Sequence, residues 1–170
     1  MTQSRSGVRL ELADTGSANI STGLPVLDHL VSGLASYARL RVSLEVAPGG
    51  PDAEVAAAGR AFGSALRELL EVDGAAGHGW AMVPADEALA SASLERADEP
   101  RFVSNVDFTD ERVAGLATDV ASRFLQEMAS SAGLNLHVRL VEGQEPQHVL
   151  AAMFKAVGAA LGQACRKEQP

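Results

Sequence analysis

A segment of this chain occurs twice, and that repetition limits the possible folds more than any other feature. Residues 34–66 read LASYARLRVSLEVAPGGPDAEVAAAGRAFGSAL, and residues 128–161 read MASSAGLNLHVRLVEGQEPQHVLAAMFKAVGAAL. Each copy is a helix end, a strand of alternating polarity, a loop, a proline and a second helix. Leu40, Val42, Leu44 and Val46 fall against Leu134, Leu136, Val138 and Leu140; Pro51 falls against Pro146, Gly63 against Gly158 and Leu66 against Leu161. Internal repetition predicts similar halves sharing one core, with a pseudo-symmetric site where their polar residues meet. The repeats span approximately 8–72 and 80–166 of a single domain, 1–170. Their polar residues differ. The second copy carries His137, His148 and Lys155, where the first carries Ser43, Ala53 and Arg60 at or near those places.

A chain of 170 residues is long enough to bury a substantial core. The net charge of −8 disfavours nucleic acid as a partner, because neutralising phosphates needs a basic face. One cysteine, Cys165, excludes an intrachain disulfide and a cysteine-based zinc cluster, and it reads as a buried apolar residue. No apolar stretch has the length of a signal peptide or a membrane span. The expectation is a soluble cytoplasmic protein with no membrane partner.

Alternation predicts strands at Val8–Leu12, around Ile20–Gly23 and at Leu40–Val46, and short ones near Trp80–Val83, Ala88–Leu94 and Phe102–Phe108. A last strand is predicted at Leu134–Val141. Pro25, Pro51 and Pro146 each suit a first helical position. The first helix should run to about Ala38 and the second to about Leu70. Thr109 or Asp110 is expected to cap a helix with the stripe Val113, Leu116, Val120, Phe124 and Met128, ended by Gly133. The tail RKEQP should fray. Helix pairs combined with largely antiparallel strands make an α+β fold.

Candidate chemistry is confined to four stretches: TGLPVLDHLVSGL with Asp28 and His29, GPDAEVAAAG with Asp52 and Glu54, VPADEALA with Asp86 and Glu87, and the pair NLHV and GQEPQHVLAAMFKA with His137, His148 and Lys155. Asp86 and Glu87 suit general acid–base work, since a carboxylate in a cleft can be tuned toward neutrality. A turn-bonding pair is the other reading.

In this order and spacing the stretches resemble the imidazoleglycerol-phosphate dehydratase family, whose motifs are TGIGFFDHML, DHHHTVEDVGIALG, PMDEALA, TLHI and NxHHxxExxFKA. The resemblance implies two duplicated βαβ-containing half-domains with helices packed on four-stranded sheets. It also implies trimers that metal ligands join into a 24-subunit shell, and two Mn²⁺ ions held by His and Glu. Of eight ligand positions, His29, His137 and His148 remain, with Asp52 as a substitute; Ala53, Ala56, Gln147 and Ala151 occupy the others. Ala has no donor atom and an amide is a poor one for Mn²⁺, so the di-manganese site is not expected. Two alternatives stay open. One divalent metal such as Mn, Zn or Fe is held by Asp52, His137 and His148, or these residues are hydrogen-bonded structure.

The phosphate-binding arginines implied by the resemblance fall on Gly77 and Glu99, a family Glu falls near Arg5, and a family His falls on Tyr37. Lys155 survives. The expected function is therefore a diverged dehydratase-like lyase acting on another small molecule. Glu87, Asp86 and His29 are its catalytic residues, and Lys155 and Tyr37 bind substrate. A non-catalytic binding subunit and the authentic dehydratase of histidine biosynthesis are the rivals. A homo-oligomer that stops at a trimer is expected, because the bridging ligands are depleted.

Overall fold

The computed structural model describes residues 7–106, 112–113 and 116–168. In chain order the elements are β1 (Gly7–Leu12), β2 (Ser17–Ser21), α1 (Pro25–Ala38), β3 (Leu40–Glu45), α2 (Pro51–Leu70), β4 (His78–Ala85), β5 (Ala88–Arg96), β6 (Arg101–Ser104), β7 (Arg112–Val113), β8 (Leu116–Ala117), α3 (Thr118–Ala132), β9 (Leu134–Glu142) and α4 (Pro146–Ala164). The fold is α+β. One sheet has the order β1-β3-β2, the other β4-β5-β9-β6, and β7 pairs with β8.

The sheets repeat one pairing scheme. β3 runs antiparallel to β1 and parallel to β2; β9 runs antiparallel to β5 and parallel to β6. A helix therefore crosses from β2 to β3, and another leads from β8 into β9. Among the described residues the first sheet has three strands, not four, because β1 has no partner on its outer edge, where β5 has β4.

Alternation places the core. Leu40, Val42 and Leu44 are buried while Arg41, Ser43 and Glu45 are exposed, and Leu134, Leu136 and Val138 repeat the pattern on β9. The helices pack across the halves: α1 lies on α4 and α2 on α3. Phe124 joins three of them, lying edge-on to Phe62 at 6.0 Å and stacked with Phe154 at 5.9 Å. One hydrophobic cluster thus runs through both halves.

Prolines open α1, α2 and α4 as predicted, and Arg39 in the left-handed region (φ 53°) closes α1. The expected helix at residues 109–132 is shorter. It begins at Thr118, and Val113 and Leu116 face each other in the β7–β8 pair instead. Thr109 and Asp110, the end of the strand expected at 102–108, and Arg5 lie outside the described residues. β2 starts earlier and stops at Ser21, short of Gly23, which has φ 84°.

The tail departs from expectation more clearly. Arg166 donates to four main-chain carbonyls, those of Ala13, Ala38, Arg39 and Gly162, at 2.7–3.0 Å. Its own carbonyl accepts from the Ala76 amide, and Lys167 bridges to Ala75. A guanidinium can satisfy several carbonyls at a helix end at once, so this residue anchors rather than frays.

Candidate functional site

Three corners of the fold converge on one cleft: the first turns of α1, the β4–β5 hairpin and the first turns of α4. Its volume is about 530 Å³. His29 comes from α1, Asp86 from the hairpin, and Gln147, His148 and Lys155 from α4; Val26, Leu30, Leu150 and Ala151 supply an apolar wall. Helical spacing explains the α4 set, since positions 147, 148, 151 and 155 lie on one face.

Each corner is locally braced. Asp28 does not reach the cleft. Its carboxylate accepts from the Thr22 hydroxyl and from the Thr22 amide at 3.0 Å, which fixes the approach to α1 and so the placement of His29. Glu54 accepts from the Gly49 amide at 3.1 Å and lies against Gly23, tying α2 to the same corner. In the hairpin, Ala85 pairs with Ala88, and Asp86 takes a left-handed φ of 52°, a conformation Asp tolerates better than most residues.

The hairpin grips α4 through His148. Glu87 Oε2 lies 2.6 Å from His148 Nδ1, and Asp86 Oδ2 lies 3.3 Å from His148 Nε2. Glu87 Oε1 also accepts the Glu145 amide at 3.1 Å, supplying a cap that the α4 N-cap side chain does not. The Glu87 bond raises the His148 pKa above its ordinary value, with the nearby carboxylates adding to it against some desolvation. Hydrogen bonds from its own backbone amide and then from His148 lower that of Glu87. Lys155 Nζ sits 5.7 Å from the Tyr37 ring centroid, a cation–π distance; Lys155 lines the cleft, and Tyr37 lies behind it rather than in the lining.

His137 is elsewhere. It lies between buried Leu136 and Val138 on β9, so its side chain projects from the sheet face opposite the helices. There it lines a shallow hollow of about 700 Å³ with His78, Trp80, Ser93, Glu95 and Asn135. Asp52 is exposed on the first turn of α2 and lines neither cavity. Asp52, His137 and His148 are therefore not assembled within one chain. Among the described residues no group of three or more His, Cys, Asp or Glu is arranged to hold a metal ion. The alanines at 53, 56 and 151 offer no donor, and both ring nitrogens of His148 face carboxylates. A pair of manganese ions does not fit this donor set.

The arrangement can take and return a proton at an imidazole braced by carboxylates, beside a lysine and an apolar wall. Sequence reasoning missed the wall and the Glu87–Glu145 bond. The wall was signalled by the i, i+4 spacing of Val26 and Leu30 on α1 and by Leu150 near the start of α4; the bond joins residues 58 apart and had no local signal.

A family profile described as imidazoleglycerol-phosphate dehydratase matches residues 22–161. The chain belongs to that family. It is 35% identical over 171 aligned residues to the imidazoleglycerol-phosphate dehydratase of Desulfitobacterium hafniense, covering 97% of this chain and 86% of the relative. It is 33% identical to that of Pelobacter propionicus, covering 96% and 86%. Among solved structures, the dehydratase of Staphylococcus aureus superposes with a TM-score of 0.87 at 24% identity, covering 96% of this chain and 95% of that one. The family's enzyme from Pyrococcus furiosus, in complex with (S)-C348, gives 0.84 at 24% identity, covering 99% and 94%. These superpositions establish a dehydratase fold of four helices and two sheets for this family member. No described helix is long and apolar enough to cross a membrane.

Proposed function

We propose that this family member is a diverged dehydratase-like lyase that removes water from a small hydroxylated molecule by acid–base chemistry, without the paired metal. One observation carries the reading: His29, Asp86, His148 and Lys155, drawn from three separate parts of the chain, line the same cleft. Simple decay of an enzyme would leave its surviving polar residues scattered. His148 Nε2, beside Asp86, is the group that takes the proton, and His29, which lines the same cleft, protonates the departing hydroxyl. Lys155 holds the substrate, with the Tyr37 ring steadying its ammonium group. The D. hafniense and P. propionicus relatives are named for imidazoleglycerol phosphate. Here Gly77 and Glu99 stand where the resemblance implies arginines, so a substrate lacking the phosphate is favoured.

The purified protein should be incubated in heavy water with EDTA and either imidazoleglycerol phosphate or its dephosphorylated triol, and followed by proton NMR. Deuterium exchange or dehydration of the triol, lost in Asp86→Asn, is the expected result. Manganese-dependent turnover of the phosphate ester, with complementation of a histidine auxotroph, would instead make this the authentic dehydratase. No exchange with either compound would favour a non-catalytic binding subunit.

The same reading includes a single domain of two pseudo-repeats, a cytoplasmic location and a homo-oligomer that stops at a trimer. The open face of the second sheet supports self-association, since Trp80, Met82 and Val103 are all exposed on it. A light-scattering mass of 24 subunits overturns the trimer.

A further inference from the structure

Glu87 is not among the residues that line the cleft, whereas its neighbour Asp86 is. What Glu87 touches is the start of α4. One carboxylate oxygen accepts the Glu145 amide at 3.1 Å, and the other lies 2.6 Å from His148 Nδ1. An ionised carboxylate only accepts, so the proton on that side of the ring must belong to His148 Nδ1. We propose that Glu87 is a positioning residue: by holding both the α4 amide and Nδ1–H it fixes the tautomer of the neutral His148 ring, because its 2.6 Å contact outcompetes the 3.3 Å contact of Asp86 with Nε2, and so leaves Nε2 unprotonated toward the cleft. The same carboxylate fixes the helix end and the ring orientation, so the two cannot drift apart.

This inference deepens the function proposed above and rests on it for its catalytic meaning, because only Nε2 faces substrate. Its physical content stands alone. The bond to Glu145 also makes the Glu87→Gln variant informative. The Glu145 amide is a donor and requires the glutamine oxygen. That turns the glutamine NH₂ toward Nδ1, where it can only donate. The imidazole then carries its proton on Nε2, with Nδ1 as the acceptor, and the face turned to substrate is the wrong one. A shape-conserving substitution thus inverts the tautomer without turning the ring.

The test is long-range ¹H–¹⁵N correlation NMR of ¹⁵N-histidine-labelled full-length protein in EDTA, recorded on the alkaline side of the His148 titration. In the wild type, Nδ1 is expected to show the pyrrole-like shift and Nε2 the pyridine-like one. In Glu87→Gln the two exchange places, while His29, His78 and His137 keep their signals and so report an intact fold. Glu145 has φ −72° and ψ 116°, which a proline can adopt. In the double variant Glu87→Gln, Glu145→Pro the amide donor is gone, the glutamine is free to turn its oxygen to Nδ1–H, and the wild-type pattern returns. A wild type protonated on Nε2, an unchanged pattern in Glu87→Gln, or no return in the double variant each overturns the assignment. None of these readings depends on turnover, so failure of the proposed activity leaves them intact and separable.

Discussion

Gly158 on α4 lies against the main-chain carbonyl of Leu34 on α1, so close that a Cβ would stand 2.2 Å from the oxygen. Its counterpart in the first half, Gly63 on α2, meets the Met128 carbonyl on α3 at 2.4 Å on the same measure. The two halves are therefore held by helix pairs that cross between them, each seated on a glycine. Forcing a methyl against backbone should cost Gly158→Ala about 2–4 kcal/mol, at the upper end of overpacking effects. Gly33→Ala on α1, whose nearest neighbour would be the Lys155 Cγ at 3.8 Å, should be neutral or stabilising by about 0.5–1 kcal/mol. Urea denaturation of both variants checks the contrast; equal effects would remove the packing account.

Arg166 is the clasp of the C-terminus, and its four carbonyl partners come from three separate parts of the chain. Arg166→Ala leaves those acceptors to water and should lose about 2–4 kcal/mol. Arg166→Lys keeps the charge but not the fork, so it should recover less than half of that loss. Thermal denaturation of the three proteins measures it. A lysine variant as stable as wild type would mean that charge alone is needed.

Burial pushes the Cys165 thiol up to about 11 from an ordinary value of 9.0. The folded state therefore holds its proton more tightly than the unfolded chain. Stability from this group is complete below the unfolded value and is lost as pH rises from about 9 to 11. Across that window the wild type should lose roughly 2–3 kcal/mol relative to Cys165→Ala, taking about 1.36 kcal/mol per unit. Guanidinium titrations of both proteins at a series of alkaline pH values give the difference. Parallel curves would show that the thiol ionises in the fold as readily as outside it.

Trp80 is 57% exposed on the open face of the second sheet, in one cross-strand row with Ser93, His137 and Val103. The open face of the first sheet presents Arg9, Glu11, Arg41, Ser43 and Glu45 instead. Trp80→Glu should lower the oligomer mass seen by light scattering without altering the circular dichroism of the fold, because more than half of the side chain is exposed. An unchanged mass would place self-association elsewhere.

Much of this fold is legible along the chain. The alternation at Leu40–Glu45 and Leu134–Glu142 and the prolines at 25, 51 and 146 place two strands and three helix starts to within a residue or two, because backbone geometry and side-chain period are local properties. Period two also implied that His137 would face away from its buried neighbours, although matching motifs had grouped it with His148. Where local signals compete, as at Val113 and Leu116, the reading failed, since two positions of the helical stripe pair in β7 and β8 instead. The expected fraying failed at Arg166 and Lys167 for the opposite reason, Gln169 and Pro170 lying outside the described residues: nothing local to Arg166 announces carbonyls contributed by Ala13, Ala38 and Arg39.

By itself, the sequence determined the duplicated pattern, the family motifs and which residue types remain to do chemistry. Those are properties of spacing and composition. Only the tertiary structure decided which of them meet. His29, Asp86 and His148 are separated by 57 and 62 positions along the chain, yet they share a cleft because α1 and α4 pack closely enough to bring their first turns to the β4–β5 hairpin. Loop closure over such distances carries no local signature; it is set by burial of the common core.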